Sequence, residues 1–142
     1  YVKRISNLIL LCEESDFLPA KELEYCLRES VENLKVCKIA VSLSGKCEGV
    51  LKKQDLIALY ETYEKLMEQI LGDVDAVLLH LQSANRQAVL KLNIAGNTTC
   101  LSRVRDIAVA GNIQIRKRIQ NQECQVQLYA GKEIGKNERN DM

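Results

Sequence analysis

The sequence predicts an α/β fold, in detail an α+β two-layer sandwich with helices on one face of a mixed sheet, preceded by a helical hairpin. Two observations predict it. Apolar residues recur at three and four positions in some segments and alternate strictly in others, and these segments follow one another as helix, helix, strand, helix, hairpin, helix, hairpin. The chain shows no internal repeat.

The elements run in order. Val2, Ile5, Leu8, Ile9 and Cys12 form the apolar stripe of a helix ending near Ser15, before a loop Asp16-Phe-Leu-Pro19. Pro19 suits the start of a second helix, whose stripe of Leu23, Cys26, Leu27, Val31 and Leu34 continues to about Val36. Lys38-Ile-Ala-Val-Ser-Leu-Ser44 alternates as a half-exposed strand does, and Gly45 to Gly49 supplies its turn. A helix from about Gln54 has a broad apolar face, Leu56, Leu59, Tyr60, Tyr63, Leu66, Met67, Ile70 and Leu71, with Glu61, Glu64 and Glu68 on the opposite, wet side and Gly72 as its stop.

Ala76 to Leu81 and Ala88 to Ala95 then read as two strands of a hairpin joined by the polar turn Gln82 to Gln87. Asn97-Thr98-Thr99 caps a further helix, from about Thr99 to Val109, which Ala110-Gly111-Asn112 ends. After it Ile113, Ile115 and Ile119, then Cys124, Val126, Leu128 and Ala130, alternate as a second hairpin. The tail from Gly131 carries no apolar pattern.

Composition limits the function classes. The 142 residues fit one domain, with twenty basic against nineteen acidic side chains and a net charge of +1, so no global field points to nucleic acid or an anionic membrane. The longest apolar runs fall far short of the roughly 20 residues that cross a bilayer, so no membrane contact is expected of this segment. Six cysteines stand apart with no C-x-x-C pair, and the one histidine, His80, is distant from all of them; reduced, mostly buried thiols in a cytoplasmic protein are expected, with no metal site. The sequence begins at Tyr1 with no signal-peptide pattern, as expected of a piece cut from something longer.

The stretches ALYETYEKLMEQIL and DAVLLHLQSANRQAVLKLNIAG, followed by LSRVRDIAVAGNIQIRKRIQNQECQVQLYAG, resemble the ATP-binding domain of sensor histidine kinases, a Bergerat fold shared with type II topoisomerases. The resemblance implies an N-box helix in which Glu64 and Glu68 occupy the places of the family's acidic or amide residue and its magnesium-holding asparagine. It also implies ATP and magnesium as cofactors, and it sets residues 1–36 where the dimerisation helices stand, ahead of an ATPase-like domain over 37–131 and a tail over 132–142.

The departures from the family pattern point to a degenerate member. Glu68 adds a negative charge where a neutral amide ligates magnesium beside phosphates, although a carboxylate also ligates that ion. Ile94-Ala-Gly-Asn97 stands where the family places D-x-G-x-G, and carries no carboxylate for the adenine amino group. Only about two residues separate Gly96 from the next helix, too few for a lid over the triphosphate, and the first helix holds no phosphoacceptor histidine. His80, on an alternating strand, reads as an ordinary strand residue.

Ser102-Arg-Val-Arg105 and Arg116-Lys-Arg118 read as solvated edge charge, since few aromatics accompany them for stacking on nucleic acid. The function expected is a homodimeric signalling domain, the cytoplasmic part of a membrane-anchored sensor, working on a response regulator or another signalling protein without ATP turnover. The alternatives are an active kinase in which Glu64 activates the transferred group and Glu68 ligates magnesium, and a plain protein-interaction module.

Overall fold

A computed structural model describes residues 16–97, 102, 104, 113–121 and 123–131. The first predicted helix and the tail lie outside these residues. So does most of the helix expected over 99–109, of which Ser102 and Val104 are described, both helical.

The described elements are β1 (Phe17–Pro19), α1 (Lys21–Val36), β2 (Ala40–Cys47), β3 (Val50–Lys52), α2 (Lys53–Ile70), β4 (Val74–Ala84), β5 (Gln87–Gly96), β6 (Gln114–Gln120) and β7 (Glu123–Ala130). Five strands form one mixed sheet in the order β2-β4-β5-β7-β6. β2 runs parallel to β4, and the other neighbours are antiparallel. The parallel pair follows from what joins it, because β3 and the long α2 lie between β2 and β4 and carry the chain back to the same end of the sheet.

The stretch expected as a loop, Asp16 to Pro19, is instead largely the strand β1, paired antiparallel with β3 through Phe17–Lys52, Leu18–Leu51 and Pro19–Val50. Three residues are too few for periodicity to register, and Pro19 is tolerated at the end of so short a ribbon. The turn expected from Gly45 also starts later, since β2 continues to Cys47 and Gly45 sits inside it at φ +113°. The β4–β5 turn is tighter than its polar run suggests. Asn85 and Arg86, at φ +52° and +65°, form a two-residue connection whose handedness matches the sheet twist.

One face of the sheet is dry. Val77, Leu79 and Leu81 of β4, Leu90, Leu92 and Ile94 of β5, and Cys124, Val126 and Leu128 of β7 are buried on it, and α1 and α2 cover them. α1 packs on β2 through Leu23, Cys26, Leu27, Val31 and Leu34, and α2 packs toward β7. Lys21–Val36, expected in a helical hairpin, thus belongs to the same core as the sheet. Periodicity reports that a helix has an apolar side and leaves open what that side covers.

Candidate functional site

The acidic stretch of α2 holds the candidate site. Tyr60 and Glu64 stand four residues apart, one turn along the same face, and the Tyr60 hydroxyl donates a hydrogen bond to the Glu64 carboxylate. Glu64 and Glu68 line a small cleft between α1 and α2, with Glu29, Ser30 and Asn33 supplied by α1. Ser30 also hydrogen-bonds Glu64, and its hydroxyl lies 2.8 Å from that of Tyr63.

Glu61, Glu64 and Glu68 do not share one wet side as expected. Glu68 is exposed, whereas Glu61 and Glu64 are half-buried. The packing of α1 against α2 draws Glu64 inward, a tertiary effect that the helical repeat does not carry. Burial raises the Glu64 carboxyl above its ordinary range, the Tyr60 hydrogen bond opposes this, and the nearby Glu68 charge adds to it. The Tyr60 hydroxyl is pushed upward as well, first by burial and then by Glu64. Sequence reasoning missed Tyr60 and Ser30 as partners of Glu64. The Tyr60–Glu64 spacing was the available signal, outweighed because Tyr60 also fits the apolar stripe.

The other candidates fall elsewhere. His80 sits on the far side of the sheet, its Nδ1 3.0 Å from the Ser44 hydroxyl. Arg116 and Arg118 are exposed on that same side, while Lys117 stands opposite Val126 on the helix-covered side, so the basic tripeptide is split between two faces. Past the end of β5, the Asn97 amide donates to the Asp73 carboxylate at 3.2 Å. Among the described residues no group of three or more His, Cys, Asp or Glu side chains converges to hold a metal ion. Cys26, Cys47 and Cys124 are buried free thiols and Cys37 is exposed.

Solved structures share this architecture. The histidine kinase domain of the Erythrobacter litoralis blue-light activated histidine kinase superposes with a TM-score of 0.60 at 10% identity, over 91% of this chain and 71% of that one. The chain has the fold of a histidine-kinase ATPase domain. Acinetobacter baumannii histidine kinase AdeS matches with a TM-score of 0.54 at 12% identity, over 91% of this chain and 75% of that one. The cytoplasmic segment of histidine kinase QseC matches with 0.53 at 14% identity, over 93% and 88%. No family model and no curated protein matches the sequence. Identities this low fit the degenerate motifs, and what is shared is the fold.

Proposed function

We propose that this kinase-like domain is a signalling unit of a two-component-type sensor that works by dimerisation and scaffolding, without turning over ATP. The observation that carries the reading is the closure of the acidic site. The cleft beside Glu64 and Glu68 measures about 160 Å³, whereas sites that enclose a small-molecule ligand start at about 300 Å³. Glu64 is already bonded to Tyr60 and Ser30, and those contacts would have to give way before its carboxylate could ligate an ion. The described residues therefore fit magnesium and ATP poorly at this place, and no phosphoryl-transfer step is assigned to them.

A dimer contact has two stretches to draw on. The apolar side of α1 lies on the sheet, so the contact falls to its outward side, where Tyr25 and Val36 are 46% and 82% exposed, and to the stripe of Val2, Ile5, Leu8, Ile9 and Cys12 in the sequence. Partner choice, a response regulator or another signalling protein, and attachment to a membrane anchor upstream belong to the same proposal. No helix among the described residues is long and apolar enough to cross a membrane.

Calorimetric titration with ATP and magnesium tests the first part, with neither binding heat nor a thermal shift expected. Binding that disappears in Glu68→Ala would replace this reading with the active kinase. Light scattering tests the second part, and a strict monomer at high concentration would remove dimerisation from the proposal.

A further inference from the structure

The face of the sheet turned away from the helices carries a pattern that the kinase-like reading leaves unused. Directly paired residues of neighbouring strands point to the same side, so the register sets Ser44, His80, Lys91, Gln127 and Arg116 in one row across all five strands. Arg118 stands two residues from Arg116, and Lys46 two residues from Ser44. Lys46, Lys91, Arg116 and Arg118 are all exposed. The register puts no acidic residue in the three rows that hold these cations, and Glu123 of β7 stands one row beyond Arg118, although the whole chain carries a net charge of only +1.

The row is flanked by apolar surface. On one side Leu78 is 54% exposed. On the other, Val89 and Tyr129 stand opposite one another and line a groove of about 400 Å³ that Lys46, Glu48, Gln82 and Gln87 border, Glu48 at its rim being the one acidic residue among them. Strands are spaced about 4.8 Å apart, so Lys91 and Arg116, two strands apart, stand about 10 Å from each other. Carboxylates seven residues apart on a helix are about 10.5 Å apart along its axis. An acidic helix laid along the row would meet both cations and place apolar side chains over Leu78 and Val89.

We propose that this open sheet face, centred on His80, Lys91 and Arg116, is the docking surface for an acidic amphipathic helix of a partner protein. The chemistry disfavours other occupants. A second copy would set cations against cations, which costs association. Single-stranded nucleic acid is held by stacking on several aromatic rings, and among the described residues of this face Tyr129, its hydroxyl donated to Gln127, is the one Phe, Tyr or Trp beside the His80 imidazole. The inference concerns the face opposite the acidic cleft and stands whether or not the fold binds ATP.

The test uses the intact chain and a fluorescent helical peptide of about 18 residues, built from Glu, Ala and Leu with glutamates seven residues apart, its binding read by anisotropy. Binding is expected, weakening as salt rises from about 0.05 to 0.3 M and by at least about tenfold in the double variant Lys91→Glu, Arg116→Glu. The control pair Lys21→Glu, Lys65→Glu makes the same change in net charge on the helical layer and is expected to bind as the parent does, with circular dichroism reporting that all variants fold. No binding, equal weakening in both pairs, or tighter binding of a single-stranded oligonucleotide or an anionic vesicle than of the peptide would each overturn the proposal.

Discussion

The Ser30 hydroxyl of α1 lies 2.8 Å from the Tyr63 hydroxyl of α2, and this contact ties together two helices that cover the sheet. Tyr63 is fully buried, so its hydroxyl has no water to turn to. Tyr63→Phe is expected to cost about 1 kcal/mol and Ser30→Ala a similar amount, with the double variant costing less than the sum. Tyr63→Ala, which also leaves a cavity, is expected to cost about 3–5 kcal/mol. Urea denaturation of the four variants checks this, and additive single losses would mean that the two hydroxyls are not coupled.

Gly45 gives a sharper test. A Cβ there would lie 1.9 Å from the Leu81 carbonyl oxygen, and its φ of +113° is a conformation that side chains resist. Gly45→Ala is expected to destabilise by roughly 4 kcal/mol or more, or to prevent folding. Gly72, with nothing within 4 Å of the added methyl, serves as the comparison. Gly72→Ala is expected to change stability by about 0.5 kcal/mol or less, as thermal denaturation of the pair will report.

The raised Glu64 carboxyl predicts a direction of pH dependence. A carboxyl whose proton affinity is higher in the folded chain than in the unfolded one makes the folded state bind more protons. Stability then falls as pH rises from the unfolded value, near 4.5, through the higher folded value, and it is regained on acidification through that window. Glu64→Gln is expected to flatten this slope and to be more stable than the parent at neutral pH. Its amide oxygen still accepts the Tyr60 hydrogen bond and carries no buried charge. Denaturation curves across the acid range decide it, and an unchanged slope would refute the assignment.

Thiol exposure predicts an order of reaction. Cys37 is exposed, while Cys26, Cys47 and Cys124 are buried, and burial pushes the Cys47 and Cys124 thiols up, away from the reactive thiolate. Pulse alkylation with peptide mapping is expected to label Cys37 in the native state and the other three only on unfolding. Native labelling of Cys124 at the rate of Cys37 would contradict the packing.

Much of the fold was legible because its signals are local. The apolar stripe of Leu56 to Ile70 and the alternation of Leu90, Leu92 and Ile94 are written at fixed spacing, and they give α2 and β5 within a few residues. What stayed hidden depends on partners distant in sequence. β1 exists because β3 lies beside it, and Lys21–Val36 belongs to the core because β2 offers its face. Glu64 shows the same limit at the site, since its spacing matches Glu61 and Glu68 and only the approach of Ser30 and Asn33 from α1 sets it apart. The kinase resemblance was carried by element order, which survives at identities where the motif residues do not.

The parallel pairing of β2 with β4 has a consequence in time. The β4–β5 and β6–β7 pairs join neighbours in sequence and close through short turns, so each can form as an early local event. β2 must wait, because its partner arrives only after β3 and the whole of α2 have been placed. Until then its side of the sheet is an open edge on β4, the strand that carries His80. Docking β2 on β4 is therefore also a step that brings α1, which packs on β2, across toward α2 to close the acidic cleft.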